Sequence, residues 1–431
     1  MNFTPPPPND FRDFFGTYFE RCRALAPKIR VVAAKWTFED LIPGLSDFDT
    51  RFIVEDDTTL ADWHAMSLAV GRVHTELAME VKSWARNLEH LPGLNLTAAE
   101  VAHPLLYYPE FSQWTFYDGD TGVIDTTETA LAARTWSSRD EIYHLKKIAA
   151  FFGPYQRGID PPINIGPWEN KYPLHSRFMH YFTPPVQAMV SITQRQTIRG
   201  KLDALRLARR TLPNPQVIDL IFESLDAHYN MPALYAEPRL TELEAELEQY
   251  LRHAWGHIAG EVTLIEPSED DTRQAIQEKV NAIPVDPIEA FFGYTKFARF
   301  MKGRLLFYAD DIAWFDATWL IENELGRIVD NFCTRPLEAY AVVRLGEALD
   351  ADTVLERLRG NPLDGEVVDG VKRFAAVAGA PLQAGREKEQ ARAAAEVYEP
   401  VLAMVEMLSA DMLAVAEEMA ARGNPHGVLP S

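Results

Sequence analysis

Cysteine is almost absent from this chain of 431 residues. Only Cys22 and Cys333 occur, which excludes a disulfide framework and leaves at most one bridge. That usage suits a reducing compartment, and the expected location is the cytoplasm. Long apolar runs are missing too: no window approaches the roughly 18 apolar residues that a membrane span needs, so no membrane partner is expected. Met1 to Thr4 and the run Pro5 to Pro8 carry no cationic stretch feeding an apolar core, so no signal peptide is expected. Basic residues are in deficit, with 42 Lys and Arg against 63 Asp and Glu, for a net charge of −21. Such a surface repels a phosphate backbone at long range, which disfavours nucleic acid and points to small, cationic or protein partners.

What is present is ample apolar material. Hydrophobic residues make up 47% of the chain and charged residues 24%, enough for two or three packed domains and too much apolar content for disorder. Phe11, Phe14, Phe15, Tyr18, Phe19 and Cys22 recur at helical spacing and predict a helix over about 10–26, ending before Pro27. Ile29 and Val31 to Ala34 form a short apolar run typical of a buried strand. After a connector from Thr37 to Gly44, a second strand is predicted from Ser46, with Phe48, Thr50, Phe52 and Val54 on one face and Asp47, Asp49 and Arg51 on the other. A helix is expected from Leu60 to Leu88, opened by Thr59 as N-cap with Asp62 behind it, and a third strand over Ser112 to Tyr117, closed by Asp118-Gly119-Asp120.

Beyond residue 126 strand signals vanish. Helical periods are expected near 138–152, 184–211, 215–227 and 238–262, then near 287–308, 310–333, 336–347 and 386–422, the last broken or kinked at Pro400. The fold class is therefore an α+β N-terminal core followed by predominantly α-helical domains. The boundaries expected are a core over 1–125, a helical domain over 126–265, a linker over 266–286 opened by the acidic Glu266 to Asp271, and a C-terminal helical domain over 287–431.

The chemistry-bearing pattern is Gly44-Leu45-Ser46-Asp47-Phe48-Asp49. Carboxylates at i and i+2 of a strand share one face, about 7 Å apart. Such a pair can hold divalent cations about 4 Å apart for in-line phosphoryl or nucleotidyl transfer. This segment resembles the polymerase-β-like nucleotidyltransferase superfamily, which includes the aminoglycoside nucleotidyltransferases and whose signature is a Gly-Ser loop followed downstream by acid-hydrophobic-acid. The helix-strand-loop-strand-helix-strand order is similar as well, so the resemblance spans about the first 110 to 125 residues.

The resemblance implies a nucleotidyltransferase-like core, Mg²⁺ held by Asp47 and Asp49, and an NTP as co-substrate. It also implies a third catalytic carboxylate on the neighbouring strand, for which Asp118 is the expected residue and Glu110 and Asp120 are the others. Where the family places Gly-Ser, this chain has Ala34-Lys35 or Lys35-Trp36. Lys35 then supplies a point charge for phosphate in place of the hydroxyl, with Gly44 and Ser46 near the triphosphate. Arg199 and Lys201, in the most basic stretch of the chain, are expected on a helix facing the same nucleotide.

The activity implied is transfer of a nucleoside monophosphate to a small polar or cationic acceptor. The alternatives are a catalytically degenerate module of the same fold, or an all-helical isoprenoid-type lyase using Asp310 and Asp311. His253 and His257, one helical turn apart, are a weaker zinc candidate.

Overall fold

The computed structural model describes residues 9–35, 37–41, 48–81, 84, 88–152, 182–230, 238–312 and 315–422. Gly44, Ser46 and Asp47, and the tryptophan at 36, lie outside the described residues.

The chain opens with α1 (Asn9–Leu25), β1 (Ile29–Ala34), a 3-10 turn (Phe38–Asp40), β2 (Thr50–Val54), α2 (Leu60–Glu80), β3 (Asn95–Thr97), α3 (Ala98–Ala102), a second 3-10 turn (Pro109–Gln113), β4 (Thr115–Gly119) and α4 (Thr121–Ala132). The strands form one mixed sheet in the order β3-β2-β1-β4, antiparallel at β1–β2 and β1–β4 and parallel at β2–β3. Alternation divides the inner strands between two cores: Val32, Ala34, Phe52 and Val54 face α1 and α2, while Val31, Ala33 and Ile53 face a smaller cluster with Leu96, Phe111 and Trp114. Because both faces are covered, β2 is buried along its whole length, including Arg51 on the face opposite Phe52 and Val54.

The sequence boundaries shift in understandable ways. Helix α2 opens as expected, with Thr59 and Asp62 in a reciprocal capping box, but ends at Glu80. The third expected strand runs later, at Thr115–Gly119, so Asp118 and Gly119 belong to it and Asp120 caps α4. Strand β3 is only a few residues long and leaves no periodic signal.

The helical remainder comprises α5 (Ser138–Phe151), α6 (Thr183–Gln194), α7 (Lys201–Thr211), α8 (Pro215–Asn230), α9 (Pro238–His257), α10 (Arg273–Asn281), α11 (Pro287–Thr295), α12 (Met301–Ala309), α13 (Thr318–Val329), α14 (Arg335–Tyr340), α15 (Ala351–Leu358), α16 (Gly365–Ala378), α17 (Glu387–Glu396) and α18 (Glu399–Ala421). Pro400 sits in the first turn of α18, where its missing N–H costs nothing, so the expected long helix is two. The stretch 184–211 likewise divides at Arg195, whose φ of 49° is left-handed.

The expected linker is in part the packed helix α10, whose Ile276 and Val280 are buried in one core with residues of α5 to α9. The C-terminal helices do not build a separate core. Phe291, Phe300, Leu305, Phe307 and residues as far as Ala416 share one continuous apolar cluster with α1, α2 and the sheet. Helices α2 and α12 cross in backbone contact, for a Cβ on Gly303 would lie 2.0 Å from the Ser67 carbonyl oxygen. No described helix is long and apolar enough to cross a membrane.

Candidate active site

Pairing of β1 with both neighbours determines what meets at one end of the sheet. Ala34 lies opposite Thr50 on β2 and opposite Thr115 on β4. The residues just beyond these pairs therefore converge: Lys35 after β1, Asp49 before β2, and Glu110 from the 3-10 turn leading into β4. Lys35 N donates to the Asp49 carbonyl at 3.3 Å, which extends the ladder by one step. All three residues line a cleft of about 700 Å³.

Asp118, the expected third carboxylate, is paired with Val32 toward the opposite end of β4. It is exposed, its carboxylate accepts from the Gly119 N–H at 2.7 Å, and it does not line the cleft. Asp120 is likewise distant, capping α4 and pairing with Arg30. Glu110 is the acid that arrives, carried there by the 3-10 turn that precedes β4.

Glu110 is buried and held on several sides. Its Oε1 accepts from Arg51 Nε at 2.9 Å and Trp114 Nε1 at 3.3 Å, while Oε2 lies 3.7 Å from Lys35 Nζ. Burial alone would raise its pKa, but Arg51 and Lys35 outweigh that and hold it below the usual glutamate value. Arg51 also reaches to 3.9 Å from Asp49 Oδ1 and donates to its neighbour's carbonyl at Thr50, 2.8 Å away.

The opposite walls are cationic. Helix α5 contributes Arg139, Lys146 and Lys147, the start of α7 contributes Lys201, and Lys296 follows α11. Gln187 on α6 donates from Nε2 to the carbonyls of Ile198 and Arg199 at 2.8 and 3.0 Å, which turns its Oε1 toward Lys147 Nζ at 2.7 Å. The same clasp anchors the turn that delivers Lys201. Asp40 completes it from the other side, its Oδ1 accepting from Leu202 N at 2.9 Å and its Oδ2 from Thr37 Oγ1 at 3.0 Å.

Burial, the ammonium groups of Lys35 and Lys201, and the weaker opposing pull of Glu110 and Asp40 leave Lys147 well below the usual lysine range. Lys296 is pushed down to about 7, chiefly by burial and then by Arg139. Its Nζ donates to the Leu106 carbonyl at 2.9 Å and sits 5.0 Å from the Tyr108 ring. Among the described lining residues, six basic side chains, Lys35, Arg139, Lys146, Lys147, Lys201 and Lys296, face four acidic ones, Asp40, Asp49, Glu110 and Glu289, within a chain of net charge −21.

No protein-family model, curated protein or solved structure matches this chain. The site's chemistry must come from its own residues.

Of the nucleotide-facing residues expected from sequence, Lys35 and Lys201 line the cleft. Arg199 does not: it lies in the turn before α7, half-exposed, with its guanidinium 3.5 Å from Glu128 and directed to the Ser112 carbonyl. Gly44, Ser46 and Asp47 are outside the described residues. His253 bonds Asn214 at 3.0 Å and lies 3.7 Å from Glu269. Asp310 accepts from Thr75, Asp311 pairs with Lys388 at 3.0 Å, and Asp316 accepts from Thr318 N at 2.9 Å at the start of α13, so each of these acids has a structural contact of its own. Among the described residues no group of three or more His, Cys, Asp or Glu side chains could hold a metal ion.

Asp40, Arg139, Lys146, Lys147 and Lys296 went unread in the sequence. Lys147, set among the apolar residues Leu145, Ile148 and Ala149 of α5, was the one available signal, because a buried ammonium needs a reason to be there.

Proposed function

We propose that this protein is a nucleotidyltransferase that moves a nucleoside monophosphate from an NTP to a small polar or cationic acceptor. The observation that carries this reading is a cluster of lysines at the same end of the sheet as Asp49, inside a strongly acidic protein. Lys35, Lys147 and Lys201 would hold the phosphate chain. Glu110, kept ionised by Arg51 and Lys35, would accept the acceptor's proton as its oxygen bonds to the α-phosphorus and the bond to the pyrophosphate oxygen breaks. Lys35 and Lys201 would then stabilise the departing charge.

Magnesium, which the sequence resemblance implies, would be held by Asp47 and Asp49 and would polarise the phosphoryl oxygens. The described carboxylates alone do not form that set, since Glu110 is engaged by Arg51, Trp114 and Lys35.

The test is to incubate the protein with Mg²⁺, each α-labelled NTP and a panel of polyol and amino-sugar acceptors, and to read pyrophosphate. Acceptor-dependent release with one preferred NTP is expected. Absence of both release and calorimetric NTP binding would remove the proposal.

One observation favours a second reading, a nucleotide-binding module without transfer: both Glu110 oxygens already face cations. In that case NTP binds with normal affinity and no acceptor in the panel yields pyrophosphate.

A further inference from the structure

Three amines from three different elements meet in the cleft: Lys35 at the end of β1, Lys147 on α5 and Lys201 at the start of α7. Lys147 and Lys201 are buried, while Lys35 keeps part of its side chain exposed. Gln187 Oε1 receives the Lys147 hydrogen bond at 2.7 Å because its own Nε2 is committed to two carbonyls. Lys201 sits at the first position of a helix whose next residue donates its N–H to Asp40. Among the described residues, the charged groups facing Lys147 are Lys35 from the sheet end, Lys201 from α7, Glu110 from the second 3-10 turn and Asp40 from the first. Helix α6 presents neutral Gln187, α10 places Gln277 on the Ala149 carbonyl further along α5, and on α5 itself His144 lies one turn back.

We propose that this end of the cleft is a binding site for a polyphosphate chain, two or more phosphates long, and that Lys147 takes up a proton as the chain binds. The proposal deepens the reading above, on which it rests only for the location of the site.

Its physical basis is burial together with the crowding of like charges. Burial and two further ammonium groups disfavour the charged form of Lys147 in the unliganded cleft, against the pull of Glu110 and Asp40. A ligand bearing several negative charges reverses that balance and makes the protonated form the favoured one, so solvent supplies a proton to Lys147 Nζ on binding. A single phosphate reaches fewer of the three amines than a chain does. Discrimination by chain length follows from amines delivered by separate elements rather than by one loop.

The test uses isothermal titration of the full chain with inorganic orthophosphate, pyrophosphate and tripolyphosphate, without metal, at about pH 7.5 in buffers of different ionisation enthalpy. Tripolyphosphate is expected to bind at least about tenfold more tightly than orthophosphate. Its apparent enthalpy should vary with the buffer in the sense of proton uptake. Lys147→Arg, always charged, should keep tripolyphosphate binding and lose the buffer dependence. Lys147→Met should lose affinity about tenfold or more while circular dichroism shows a native fold.

Equal affinity for ortho- and tripolyphosphate, or a buffer-independent enthalpy in the parent protein, overturns the proposal whether or not the variants fold. If tripolyphosphate binds with proton uptake but no NTP and acceptor give pyrophosphate, this inference stands and the transferase reading falls. Transfer without proton uptake gives the opposite result.

Discussion

At the scale of single residues, the cleft is defined by charges held out of water. Asp49 is only part-exposed at the sheet end, beside Arg51 and Lys35. Asp49→Asn should lower nucleotide transfer by orders of magnitude with the fold intact, whereas Asp118→Asn, at the other end of β4, should leave turnover unchanged. Steady-state kinetics on the two variants checks this pair of outcomes, and equal activities would remove Asp49 from the site. Lys35→Ala should weaken NTP binding by about 1–3 kcal/mol, the worth of a lost charge-assisted hydrogen bond. Calorimetry reads that loss directly.

Lys296 supports a pH prediction. Its folded pKa of about 7 lies below the unfolded lysine value, so the unfolded chain binds the extra proton between those values and stability falls as pH drops through that window. Replacing the side chain by Met removes the proton from both states. The stability of Lys296→Met relative to the parent should therefore be more favourable at pH 6 than at pH 9, by about 2–3 kcal/mol. Urea melts at the two pH values test it, and a difference independent of pH would show that Lys296 stays charged in the fold.

At the scale of elements, Asp40 is the joint between the α/β core and the helical layer. Its carboxylate closes the 3-10 turn through Thr37 and accepts the N–H of Leu202, so one side chain caps two elements at once. Asp40→Ala should cost about 1–2 kcal/mol of stability, as a lost helix cap does. It should also weaken tripolyphosphate binding, because Lys201 then loses its fixed position. A variant equal to the parent in both melting and calorimetry would reduce Asp40 to an incidental neighbour.

At the scale of the molecule, N- and C-terminal segments form one body. Arg299 ties them: Nη1 and Nη2 meet Glu100 at 2.6 and 2.7 Å, Nε and Nη2 meet Glu406 on α18 at 2.8 and 3.0 Å, and Nη1 also donates to the Asn95 carbonyl at 3.0 Å. Removing the guanidinium takes away the partner that Glu100 and Glu406 share and opens a gap beside Trp63, whose ring lies 4.1 Å from Arg299 Cζ. Arg299→Ala should destabilise the protein by about 3–5 kcal/mol, the usual penalty for orphaning a buried charge. Denaturant unfolding should show that loss in one cooperative transition if the shared core is one unit.

What the sequence alone determined is local. The amphipathic spacing of α1, the apolar run of β1, the Thr59–Asp62 capping box and the break at Pro400 all follow from period, cap chemistry and a missing N–H, which act over a few residues. That Lys35 would lie near Asp49 was implied by the resemblance and not by any local rule. Tertiary structure decided the rest. Glu110 rather than Asp118 reaches the cleft because antiparallel pairing on both sides of β1 brings the start of β4, not its end, to Lys35. Arg51 is buried because a second layer covers the far face of β2. Lys147 and Lys201 meet only because α5, α6 and α7 pack together, with Gln187 and Asp40 securing the turn between them. Those contacts join residues dozens to more than a hundred positions apart, and no periodicity in the chain encodes them.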